Sequence, residues 1–117
     1  ANFFGYDITA YEPVPFTKYN VDDVYHWHKD SYSEHQTQDN YWEKNQRKLS
    51  ASLILSDPKD YEGGVLEFFN GVNDPIRPPQ NKGTIVIFDS SDWHRVTKVT
   101  KGIRYSFVMW TIGAKFR

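Results

Sequence analysis

The stretch Gly83-Thr-Ile-Val-Ile-Phe88-Asp-Ser-Ser-Asp-Trp93-His94-Arg-Val96-Thr-Lys-Val-Thr-Lys-Gly102-Ile-Arg104-Tyr-Ser106-Phe-Val-Met-Trp110 decides the fold class. It contains three runs rich in β-branched and aromatic residues, parted by Asp-Ser-Ser-Asp and by Lys101-Gly102, and helical periodicity is almost absent from it. Runs of this length bounded by turn formers read as strands. The reading places strands at 84–89, 94–99 and 103–112 here. Upstream it places them at 64–69, 49–56, 24–30 and 7–20, the last interrupted at Pro13 and Pro15. Turns fall at Asp57-Pro58, Gly63-Gly64, Pro78-Pro79, Asn81-Lys82-Gly83 and Lys101-Gly102.

So many short strands with so little helix predict an all-β chain folded as a two-sheet jelly roll, the double-stranded β-helix of cupin-like proteins. At 117 residues the chain is long enough for one core, so residues 1–117 are expected to form a single domain containing any active site. Ser31–Lys48 (SYSEHQTQDNYWEKNQRK) breaks the pattern, being polar, without alternation and long for a connection. Residues 31–48 are therefore expected to form a mobile loop at the mouth of a site; a plain solvated insertion is the competing reading.

Composition removes several function classes. The chain has no cysteine, which excludes disulfides, thiolate metal sites and thiol nucleophiles and leaves His, Asp and Glu as metal ligands. A formal net charge of -1 and a pI near 6.5 give no global attraction to nucleic acid or an anionic membrane. No apolar run approaches a membrane span, and the opening ANFFGYDIT lacks the pattern of a signal peptide. A cytoplasmic protein is the expectation, with a natural N-terminus that starts upstream of Ala1.

Chemistry first shows in Tyr25-His26-Trp27-His28-Lys29-Asp30. Side chains two apart on a strand share a face, so His28 and Asp30 can reach one cation. A third ligand from elsewhere would complete a two-His-one-carboxylate set with open coordination positions, as iron(II) oxygenases use. The residues leave His26, His35 and His94 as candidates. Taken alone, His-x-Asp is a weak signal, and a surface salt link explains it as well.

The His-x-Asp pair, the distal His94 and the following Arg104-Tyr-Ser106 resemble, in order and spacing, the iron(II)- and 2-oxoglutarate-dependent oxygenases of the prolyl hydroxylase (PKHD) type. Arg47-Lys-Leu-Ser50-Ala-Ser52-Leu-Ile54-Leu-Ser56-Asp-Pro and Tyr61-Glu-Gly63-Gly64-Val-Leu66-Glu-Phe68 look like the same family's middle strands. The resemblance implies metal ligation and catalysis by His28, Asp30 and His94. It assigns the far carboxylate of 2-oxoglutarate to Arg104 and Ser106, with Tyr19, Ser50, Ser52, Ile54, Leu66 and Val96 on the cosubstrate wall. It also puts an aromatic residue, here Trp110, near the iron, so that Trp110 and Tyr25 become candidate substrate contacts. Arginine suits the cosubstrate because its planar guanidinium gives a carboxylate two parallel hydrogen bonds.

The implied reaction is hydroxylation of an unactivated C–H bond, with O2 as oxidant, decarboxylation of 2-oxoglutarate to succinate and CO2, and ascorbate as reductant. A prolyl residue in a peptide or protein is the expected substrate. The alternatives are a free amino acid or small metabolite, and a cupin-like binding module that has lost turnover. Nucleic acid is not an expected partner, because Arg104 is followed by Tyr-Ser-Phe-Val-Met-Trp110 rather than a second Arg. Three departures stand beside the matches: Ile54 where relatives often carry Tyr, Pro15 where they carry Gln, and Asp23 where they carry Gly.

Four residue-level expectations complete the reading. On a regular strand His26 shares the face of His28, while Tyr25 and Trp27 point away from the metal. Trp93 packs at the rim. Leu49, Ala51, Leu53 and Leu55 pack against the opposite sheet, leaving Ser50, Ser52 and Ile54 on the inner wall. Support helices missing from the start of the chain would leave an exposed apolar patch or an oligomer contact.

Overall fold

The computed structural model describes residues 16–30 and 45–114, and the backbone of three two-residue strands before them. Those three are β1 (Asn2–Phe3), β2 (Tyr6–Asp7) and β3 (Ala10–Tyr11); β4 (Phe16–Tyr19), β5 (Tyr25–His28) and β6 (Asn45–Ile54) follow. A 3-10 turn at Pro58–Asp60, opened by Asp57 whose carboxylate accepts from the Lys59 N–H, leads into β7 (Tyr61–Gly63). The remainder is β8 (Leu66–Phe68), β9 (Ile85–Asp89), β10 (His94–Val96), β11 (Val99–Gly102) and β12 (Arg104–Ala114).

All pairings are antiparallel. The larger sheet runs β3-β12-β6-β9, with β4 also on β12, and the smaller one runs β5-β10-β8, accompanied by the β7-β11 ribbon. This is the jelly roll that the strand pattern predicts. Its boundaries differ in three places. The predicted strand at 7–20 is two pieces, β3 and β4, pairing along the same edge of β12. The predicted strand at 94–99 is divided, because Thr97 N–H turns to the Val65 carbonyl and Val99 N–H to Asp23, handing the chain from β10 to β11. Finally, β6 begins at Asn45, so residues 45–48 belong to a strand and not to the polar loop; 31–44 lie outside the described residues.

Alternation on the larger sheet separates two faces. Ser50, Ser52 and Ile54 are buried, and so are Arg104 and Ser106 opposite. The other face carries Ala51, Leu53, Ile85, Phe107 and Met109, which line a shallow apolar groove. The expectation that the odd-numbered residues of β6 pack against the second sheet is thus corrected for Ala51 and Leu53, since the second sheet lies over the even-numbered face. With Ile85, Ile87 and Phe16 at least half exposed, this is the exposed apolar patch expected on one sheet.

Candidate metal centre and anion pocket

Pairing of β5 with β10 sets His28 opposite His94. Asp30 lies just past β5, where its N–H donates to the Ser90 carbonyl (2.9 Å). Asp30 Oδ1 then stands 3.5 Å from His28 Nε2 and 3.3 Å from His94 Nε2. Among the described residues these three are the one His/Asp/Glu group whose ligand atoms gather within 4.8 Å of one another.

Each imidazole is oriented by a main-chain carbonyl. His28 Nδ1 is 2.7 Å from the His26 oxygen and His94 Nδ1 is 2.9 Å from the Asp92 oxygen. A carbonyl only accepts, so both Nδ1 atoms carry the proton and both Nε2 atoms present a lone pair. Two lone pairs and a carboxylate oxygen aimed at one point repel each other unless a cation lies between them. Burial pushes the Asp30 carboxyl up, but contacts with His28, His94 and the Ser50 hydroxyl outweigh it and hold it well below the usual carboxylate range.

The same cavity is lined by Arg104, Ser106, Tyr19, Ser52, Leu66 and Val96, and by Phe88, Val108, Tyr25 and Trp110. Arg104 is 1% exposed. Its Nη1 donates to Ser106 Oγ at 3.4 Å and its guanidinium lies 5.4 Å from the Tyr19 ring centre. Its Nε and Nη2 have no partner among the described residues. A buried guanidinium without a countercharge costs several kcal/mol, roughly, and its unused donors suit a carboxylate entering from the cavity. Burial raises the Tyr19 pKa against the opposing pull of Arg104, so the phenol stays a neutral hydroxyl, available as a donor.

Three placements depart from the sequence reading. The β5–β10 register slips between the His94 and Val96 pairs, a bulge that brings Tyr25 round to stack on His28 at 3.7 Å between ring centres. Tyr25 therefore lines the cavity, while His26 is exposed and contributes only its carbonyl. Ser50, expected on the cosubstrate wall, is fully buried behind Asp30 and donates to Asp30 Oδ2 at 2.5 Å. Trp110, expected as a substrate contact, lines the cavity but also donates its indole N–H to that oxygen at 2.9 Å.

Sequence reasoning missed Phe88, whose ring meets His94 edge to face at 4.7 Å, and Val108. Alternation could have found both, since Val86 and Phe88 on β9 and Ser106, Val108 and Trp110 on β12 share the inward face. Trp93 is at the surface, 45% exposed. His35 lies outside the described residues.

The comparisons with known proteins agree with this geometry. PKHD-type hydroxylase YbiX of Escherichia coli (strain K12 / DH10B) is 38% identical over 98 residues, covering 81% of this chain and 40% of that protein. The protein of the same name from Escherichia fergusonii gives the same figures. The chain thus spans about two fifths of the length of the curated relatives it matches. A Pseudomonas putida prolyl-4-hydroxylase superposes with a TM-score of 0.65 at 23% identity, covering 89% of this chain and 53% of the other. A prolyl hydroxylase from Trichoplax adhaerens, solved with a peptide fragment of a hypoxia inducible factor, superposes with a TM-score of 0.68 at 18% identity, covering 92% and 46%. Those likenesses speak for the fold. The family is given by the model of the 2OG-Fe(II) oxygenase superfamily, which matches residues 14–112, nearly the whole chain, and on that match the chain belongs to this superfamily.

Proposed function

We propose that residues 1–117 form one oxygenase domain, which holds iron(II) through His28, Asp30 and His94 and 2-oxoglutarate through Arg104, and hydroxylates a prolyl residue of a peptide or protein. The observation that carries this reading is the sharing of one cavity by a three-atom cation site and a buried guanidinium with unused donors. The donor set fits the metal, since two neutral imidazoles and one carboxylate leave positions open on an octahedral ion. The cavity also fits the cosubstrate: Arg104, Ser106 and the Tyr19 hydroxyl supply donors for its far carboxylate, and Leu66 and Val96 flank its methylenes.

Iron(II), 2-oxoglutarate and O2 together supply the oxidising chemistry, in which 2-oxoglutarate becomes succinate and CO2 and one oxygen atom enters a substrate C–H bond. The chain's own residues bind, orient and exclude water. Phe88 and Val108 give the cavity apolar walls, and Tyr25, 50% exposed, stands at the mouth over His28. A peptide substrate is favoured by that open aromatic rim and by the peptide bound to the Trichoplax adhaerens relative.

The test incubates the purified chain with iron(II), ascorbate, 2-oxoglutarate and proline-containing peptides. Succinate and a 16-dalton gain on a peptide are expected, both lost on His28→Ala or Asp30→Ala. Succinate formation that persists unchanged in either variant would overturn the metal assignment. Succinate with free amino acids and none with any peptide would move the substrate to the small-metabolite class.

A further inference from the structure

The carboxylate of Asp30 is held unevenly. Oδ1 faces the two imidazole Nε2 atoms, whereas Oδ2 accepts from the Ser50 hydroxyl at 2.5 Å and from the Trp110 indole N–H at 2.9 Å. Each carboxylate oxygen has about two lone-pair sites, so Oδ2 is saturated. Ser50 has one proton, already given to Asp30, so in its 2.9 Å contact with Ser90 Oγ it must accept, and Ser90 is the donor. Ser90 closes the ring from behind, since its carbonyl receives the Asp30 N–H. Both serines are fully buried. On the far side, the Arg47 guanidinium lies 3.9 Å from the Trp110 ring centre, pinning the indole plane.

We infer that Ser50 and Trp110 are positioning residues which occupy Oδ2 and so force Asp30 to offer a cation one oxygen instead of two. This inference rests on the metal reading above. A carboxylate free to turn could take two coordination positions, and the site would then lack one of those needed for cosubstrate and oxygen. The arrangement also explains why a serine stands at 50 on an otherwise apolar strand: the side chain touches the ligand, not the cosubstrate.

The experiment uses manganese(II) as a redox-inert probe, titrated calorimetrically into the full chain, with cobalt(II) visible absorption as a second readout. Wild type should bind one ion and His28→Ala none. Ser50→Ala and Trp110→Phe should each weaken manganese(II) binding about tenfold or more and change the cobalt(II) spectrum, while Ser50→Thr, which keeps the hydroxyl, should restore both. Should Trp110→Phe fail to fold, the Ser50 pair carries the test. Ser50→Ala binding within twofold of wild type with an unaltered cobalt(II) spectrum would overturn the inference, as would Ser50→Thr binding as weakly as Ser50→Ala. Failure of the wild type to bind, or equal binding by His28→Ala, would instead defeat the metal reading.

Discussion

Arg104 concentrates the tension in this molecule, because a permanent charge is buried at the centre of a sheet beside two neutral donors, Ser106 and Tyr19. Replacing a buried ion by an apolar side chain of similar length is often neutral or stabilising. Arg104→Met should therefore melt no lower than wild type without ligands. It should also lose the rise in melting temperature that manganese(II) with 2-oxoglutarate gives the wild type, and raise the KM for 2-oxoglutarate about 30-fold or more, equivalent to ~2 kcal/mol. Paired melts with and without ligands, together with the KM, check this; a large loss of unliganded stability would show that Arg104 serves the fold. At this scale the sequence was informative where a residue's chemistry has few uses. His28, Asp30, His94 and Arg104 could be named from order and spacing alone. Ser50 could not be placed, because a serine on an inward face suits a cosubstrate wall and a ligand clamp equally, and only distances separate the two.

At the scale of elements, strand existence was legible and strand register was not. A bulge moves every following side chain to the opposite face, and no residue in Tyr25-His26-Trp27-His28 announces the one that puts Tyr25, rather than His26, beside the metal candidates. Glycines gave a better guide. Gly63-Gly64 was read as a turn, and both residues take positive φ, +74° and +58°. A Cβ on Gly63 would run into the Lys98 carbonyl across the β7–β11 ribbon, and backbone there cannot give way. Gly63→Ala should accordingly cost about 1–3 kcal/mol or more, seen as a lower urea midpoint at an unchanged slope. An unaltered midpoint would mean that the ribbon opens without penalty.

Taken as a whole, the molecule is polar inside and apolar on one outer face, the reverse of what binary patterning favours. Fully buried positions include Arg104, Glu67, Ser50, Ser90 and Ser106 beside only Ile54 and Val99. Stability must then depend on satisfied polar contacts, and Glu67 shows how. Its carboxylate accepts from Arg77 Nε at 2.5 Å and from Arg95 at 2.7 Å, and the Arg95 guanidinium lies 4.5 Å from the Trp27 ring centre. Burial alone would raise the Glu67 pKa, but hydrogen bonds and charge from Arg77 and Arg95 overcome it and set the value below the ordinary one of about 4.5. A carboxyl lowered on folding contributes stability that is fully present above its unfolded pKa and is lost as the pH falls through the folded value. Glu67→Gln removes that contribution at every pH. It should cost about 1–3 kcal/mol at pH 7, and the gap to wild type should narrow steadily once the pH drops below about 4.5. Because Asp30 is also lowered and is common to both proteins, its share cancels in the difference between the two curves. Urea unfolding of both chains from pH 7 to pH 3 measures that difference, and a gap that stays constant across the range would show that Glu67 carries no ionisation-linked stability.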